Sequence, residues 1–199
     1  TNKAAVIDPG GDVEKIEQVL KEAGVALEKI LITHGHIDHV GGAAELAQRT
    51  GVPIEGPHPG DKLMLDQLPA IAAQYGFPKA DAVKPGRWLD QGDVVTVGET
   101  IFDVRHVPGH SPGHVIFIWR KQPGDAGPPG FVIMGDVLFR GSIGRTDLPG
   151  GDHALFLRMI KERVMTLPDE TIFTCGHGPM SSIGDERRDN PFLETPWAG

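Results

Sequence analysis

Residues 33–42 read THGHIDHVGG, which sets His34, His36, Asp38 and His39 within six consecutive positions. One third of the chain's nine histidines lies in this single bend. In extended backbone the side chains of residues i and i+2 point the same way, so His34 and His36 can grip one ion while the turn after them redirects Asp38 and His39 toward another. The spacing serves two cations. A lone loop histidine is ordinarily solvated or hydrogen-bonded, and His58, His106 and His153 are read that way. Four ionisable groups in the pattern HxHxDH mark a metal site instead.

Outward from the bend, an apolar run at 4–7 stops at AspProGlyGly. A helix carrying Val13, Ile16, Leu20 and Ala23 follows, with Asp12 at its cap, and a strand over 29–33 leads into the bend. A second helix, closed near Gly51, lies behind it. This β-α-β-α order belongs to an α/β protein. Residues 57–88 read as a connecting insertion around a helix over 63–75 that Pro69 kinks or breaks. Strands are expected at 94–97, 101–107, 115–120 and 131–134, with 121–130 a hairpin loop. A helix over 153–165 capped by Asp152 and a strand at 171–174 complete the reading.

Four of these strands run directly into His34, His110, Asp136 and His177. Ligand sites of α/β sheets lie beyond the carboxyl ends of strands, so these residues are where a shared site needs them. An imidazole–zinc bond is about 2.0 Å, so distant loops must complete each coordination shell. Asp8, in AspProGly, forms a turn and is also suited to steer a ligand imidazole from behind. His114, which shares PGHSPGH with His110, is read as support for a ligand. Residues 109–113 satisfy GxSxG, and Ser111, Asp136 and His177 fall in serine-hydrolase order. That motif needs strand, turn and helix, whereas HVIFIWR continues as a strand, so the metal reading ranks above it.

With 199 residues and 39% hydrophobic content, the chain suits one compact domain over 1–199. No run reaches the roughly eighteen apolar residues of a membrane span and no charged-then-apolar leader opens it, so a soluble, cytoplasmic protein is expected. The chain starts at Thr1 and enters an apolar run at once, so residues are expected to precede it. The single cysteine, Cys175, excludes an internal disulfide and is read as a buried small apolar residue. A net charge of -8 repels a polyphosphate, and nucleic acid is not an expected partner.

HxHxDH at 34–39, PGHSPGH at 108–114, MGD at 134–136 and GHG at 176–178 together resemble the metallo-β-lactamase superfamily. GSIGRTDLPGGD and the tail ERRDNPF resemble its short bacterial glyoxalase II-type hydrolases. The resemblance implies an αββα sandwich of two sheets, with a strand or two before Thr1. It implies two divalent ions, zinc first and iron or manganese also suited, the first held by His34, His36 and His110. Asp38, His39 and His177 would hold the second, Asp136 would bridge both, and Asp38 and Asp136 would serve as the catalytic carboxylates. The bridging aspartate points to the hydroxyacylglutathione hydrolase branch, and so to a small-molecule thioester such as S-lactoylglutathione, attacked by water activated between the ions. Arg145 stands where that branch offers glutathione a lysine, and Asp147 where it has a tyrosine. The alternative is a persulfide dioxygenase with a single iron on His34, His110 and Asp136. A non-catalytic metal-binding protein is a third reading.

Overall fold

Two sheets lie face to face, with helices covering both outer sides. The computed structural model describes residues 1–77 and 79–193. In chain order the first half comprises β1 (Lys3–Ile7), α1 (Val13–Ala23), β2 (Ala26–Leu31), α2 (Ile37–Val40), α3 (Ala43–Thr50), β3 (Ile54–Glu55) and α4 (Lys62–Tyr75). A 3-10 turn, Pro59–Asp61, leads into α4. The second half comprises β4 (Val94–Val97), β5 (Thr100–His106), β6 (Val115–Trp119), β7 (Gly130–Ile133), β8 (Leu138–Phe139), β9 (Ser142–Ile143), α5 (His153–Arg163), β10 (Thr171–Thr174), β11 (Ser181–Ser182) and α6 (Ile183–Asp189).

Side-chain alternation explains the layering. A strand shows successive residues to opposite faces, so one buried on both faces reads as a continuous apolar run. On β6, Val115 and Phe117 enter a core between the sheets with Leu31, Leu89, Val95 and Val104, while Ile116 turns to the opposite face, against Phe156 and Ile160 of α5. Around β2 the same split sends Leu31 between the sheets and Ile30 and Ile32 toward α3 and α4. The result is the αββα sandwich. Phe117 is fully buried at its centre, where truncation to alanine should cost about 3–5 kcal/mol.

Sheet order is β1-β2-β3, all parallel, in the first sheet and β11-β10-β7-β6-β5-β4 in the second. Strand β10 is parallel to β7, and β5 and β7 are each antiparallel to β6, so β5, β7 and β10 run the same way. Asp8 and His34 therefore leave the carboxyl ends of the first sheet, and His110, Asp136 and His177 those of the second.

Two local expectations fail for identifiable reasons. Asp12 does not cap α1: its backbone is left-handed (φ 52) and its carboxylate pairs with Lys15 at 2.8 Å. Pro69 does not break α4, because the Leu65 carbonyl that it strands accepts the Val83 N–H at 3.4 Å. Helix α4 buries Leu65, Leu68 and Ala72 in the outer helical layer, so much of 57–88 packs on the first sheet. The β8-β9 hairpin, β11 and α6 had no counterpart in the sequence reading. Among the described residues, no helix is long and apolar enough to cross a membrane.

Candidate metal centre

Strand β2 ends at Leu31, and the buried Ile32 and Thr33 carry the chain to a fully buried His34. His36 lies two residues on, and the single turn of α2 swings Asp38 and His39 away from it. Loops from the second sheet meet this bend. His34 Nε2 lies 3.1 Å from His36 Nδ1 and 3.2 Å from His110 Nε2, forming one cluster. His177 Nε2 lies 3.1 Å from Asp38 Oδ2 and 3.3 Å from His39 Nε2, forming another. Asp136 stands between them, its Oδ1 3.4 Å from His39 Nε2 and its Oδ2 3.7 Å from His110 Nε2 and 3.6 Å from His177 Nε2. Gly176 makes room, since a Cβ there would lie 2.3 Å from Asp136 Oδ1.

Hydrogen bonds behind the rings fix which nitrogens face the centre. His110 Nδ1 lies 2.7 Å from the Arg145 carbonyl, which only accepts, so Nδ1 carries the proton. His39 Nδ1 donates likewise to Asp8 Oδ2 at 3.0 Å. Thr33 Oγ1 donates to Asp8 Oδ2 at 2.6 Å, which leaves it to accept from His34 Nδ1 at 3.0 Å. In the neutral rings, the Nε2 atoms of His34, His39 and His110 thus present lone pairs inward. Lone pairs facing one another repel unless a cation lies between them. Asp136 Oδ1, buried and without a hydrogen-bond partner, adds a further donor to the same space. The set fits divalent cations.

Electrostatics agree with that fit. Burial, reinforced by neighbouring imidazoles, drives the His34 pKa well below the ordinary histidine value. Burial beside His110 lowers His36 to about 4. Burial also opposes charge on His39, but the neighbouring Asp136 and Asp8 carboxylates outweigh that and raise it to about 10. The carboxylates here demand positive charge.

The remaining candidates have distinct places. Asp8 reaches both clusters, accepting the Thr33 N–H at 2.7 Å as well as the bonds above. His114 is fully buried, stacks on His34 with centroids 4.6 Å apart and accepts the Asp136 N–H at 3.0 Å. It holds the Asp136 backbone and reaches no ligand side chain by hydrogen bond. Arg145 touches the site through its carbonyl, while its exposed guanidinium makes two 2.7 Å bonds to Asp147. Ser111 is buried with its hydroxyl on Asp61, and a strand follows it, which removes the serine-nucleophile geometry. Cys175 is only partly buried, and its thiol donates to the His177 carbonyl at 3.0 Å. His58 and His106 stack at 3.8 Å, with His106 on the Pro112 carbonyl. Sequence reasoning missed Thr33 and Asp61. Adjacency to His34 was the available signal for Thr33, whereas Asp61 gave none beyond its place before a helix.

The metallo-beta-lactamase superfamily profile matches residues 1–177. The chain belongs to that superfamily. Its similarity to the hydroxyacylglutathione hydrolase GloC of Haemophilus influenzae is 42% identity, over 96% of this chain and 88% of the relative. Among solved structures, it superposes on TTHA1623 in a di-iron-bound form with a TM-score of 0.81 and 40% identity, over 94% of this chain and 88% of the other. The BLEG-1 B3 metallo-beta-lactamase gives a TM-score of 0.84 and 37% identity, over 96% and 89%. The superfamily fold, the His34–His36–His110 cluster and the Asp38–His39–His177 cluster together imply divalent-metal binding.

Proposed function

We propose that this chain is a glyoxalase II-type hydrolase, cleaving thioesters such as S-lactoylglutathione with two divalent ions, acting in the cytoplasm as one metallo-β-lactamase-like domain over 1–199. His34, His36 and His110 would hold the first ion and Asp38, His39 and His177 the second, with Asp136 standing between the two sets. Zinc is the ion of this reading, although a nitrogen-and-oxygen donor set also suits iron or manganese. Ions bound there would supply Lewis acidity, lowering the pKa of a coordinated water and polarising a carbonyl under attack. The chain's own residues prepare the space for that chemistry. Asp8 and Thr33 hold the imidazole tautomers, and Asp136 and Asp38 are the carboxylates that meet the reacting water. Substrate enters beside Asp38 and His177, whose side chains are 46% and 57% exposed. A thiol of pKa about 8.5 leaves as thiolate, so no strong general acid is required.

The observation that carries this reading is Asp136 lying within 3.7 Å of donor nitrogens from both clusters. The single-iron dioxygenase needs only His34, His110 and Asp136, and leaves the close approach of Asp38, His39 and His177 without a purpose. Elemental analysis of purified protein, beside thiol release from a lactoyl thioester and oxygen uptake with a persulfide, tests the choice. About two metal ions per chain with thiol release is expected. A single iron with oxygen uptake would overturn it.

A further inference from the structure

Asp61 is completely buried, and none of the hydrogen bonds to its carboxylate comes from a ligand side chain of either cluster. Its Oδ2 accepts the Gly35 N–H and the Ser111 hydroxyl, each at 2.8 Å, and its Oδ1 accepts the Gly113 N–H at 2.5 Å. Gly35 separates His34 from His36, and Ser111 follows His110. The three donors thus belong to the two loops that supply the first cluster. The same turn grips Gly113 a second time, because the His58 N–H donates to its carbonyl at 3.0 Å. Contact is close enough that a Cβ on Gly113 would lie 2.5 Å from Asp61 N and from the His58 carbonyl oxygen. Helix α4 does not need this carboxylate, since Asp61 stands at its N-terminus without a side-chain capping bond. A buried carboxylate is costly unless donors satisfy it, and here every donor comes from a ligand loop.

We propose that Asp61 is a positioning residue, clamping the loop of His34 and His36 to the loop of His110 and so setting the metal affinity of the first cluster independently of the second. The proposal rests on the two-ion reading above. Asp38 and His39 on α2 and His177 after β10 make no hydrogen bond to the Asp61 carboxylate among the described residues.

The test is cobalt(II) titration of the full chain, followed by visible absorption, in two backgrounds. Asp38→Ala leaves the first cluster to be measured, and His36→Ala the second. Asp61→Asn keeps the shape but turns an amide N–H toward at least one of the three donors. In the Asp38→Ala background it should weaken cobalt binding roughly 10- to 100-fold, and in the His36→Ala background by less than about twofold. Ser111→Ala removes one donor and should weaken only the first cluster, by about three- to tenfold. It carries the test should Asp61→Asn fail to fold. Equal losses in both backgrounds would make Asp61 a general structural residue and overturn the proposal, as would unchanged constants for both variants. Should the wild-type chain bind no cobalt, the two-ion reading falls and takes this proposal with it. Two bound ions with an indifferent Asp61 would sink the proposal alone.

Discussion

The two clusters differ in how the protein surrounds them. His34 and His110 are essentially without solvent exposure, and each is tied from behind, one to Thr33 and the other to the Arg145 carbonyl. Only His39 of the second cluster is buried in that way, held by Asp8, while Asp38 and His177 stand half in solvent. Partners behind a ligand fix its tautomer and direction, and their loss typically weakens metal binding 10- to 100-fold. The braced cluster should therefore hold its ion tightly. The open one should exchange more freely and meet the substrate. Under the two-ion reading that division would be useful, because the rigid wall would position the ions while the open wall admits the substrate.

The largest expected effect comes from removing what the clusters share. Asp136→Ala should release metal from both and lower thioesterase activity by at least about 10³-fold, the scale of losing one electrostatic catalytic group. Atomic absorption and thiol release, measured on the same preparation, check it; an active, metal-free variant would refute the assignment. His177→Ala separates the clusters. It should retain about one ion per chain, while kcat falls on the order of 10²-fold because one electrostatic contribution is removed. Loss of both ions would mean that the braced cluster does not stand alone.

Asp8 is the place where the asymmetry should disappear. Its Oδ2 serves His39 directly and His34 through the Thr33 hydroxyl, so Asp8→Ala should weaken both ions, each by roughly 10- to 100-fold. Thr33→Val keeps the volume and removes only the hydroxyl relay to His34, so it should weaken the first ion alone, by about tenfold. Chelator competition gives both constants. If Thr33→Val weakens the second ion equally, the relay does not have the direction assigned to it.

Much of this was legible in the sequence because its signals are local. HxHxDH stands in one bend, and each of His34, His110, Asp136 and His177 follows an apolar run, so strand ends could be matched with chemistry before any contact was known. What remained hidden depended on partners distant in sequence. Asp61 reads as an ordinary helix-start aspartate, and only its packing against Gly113 reveals another use. Pro69 reads as a breaker because Val83, whose N–H donates to the stranded Leu65 carbonyl, lies beyond the helix. Asp12 reads as a cap because sequence does not display its left-handed backbone.

Acid should act on the braced side first in protein stripped by chelator. His36 is lowered from 6.5 to about 4, and burial lowers His34, His110 and His114 in the same direction. Between those values the unfolded chain binds protons that the folded chain refuses, so stability falls as pH drops from about 6.5 toward 4, by up to ~3 kcal/mol from His36 alone. His39 has the opposite sign. Raised to about 10, it contributes stability that is fully present below its unfolded value of about 6.5 and is lost as pH climbs through 10. Urea midpoints of stripped protein should thus peak near neutrality, and a flat profile would deny that these imidazoles are buried together.

The smallest effect belongs to the open side. Arg145 is the cation that sequence reasoning offered to the substrate, yet its guanidinium is engaged edge-on by Asp147, and both side chains are exposed. An exposed pair of this kind is held weakly, so its influence on binding should be modest. Asp147→Asn leaves the guanidinium without its anionic partner and should lower KM for a thioester with an acidic carrier by about two- to fivefold. kcat should be unchanged, because Arg145 reaches the cluster only through its backbone carbonyl. A neutral carrier of the same length should show no such gain. Equal improvement for both carriers would mean that the substitution acts on the shape of the loop, and Arg145 would lose its place in recognition.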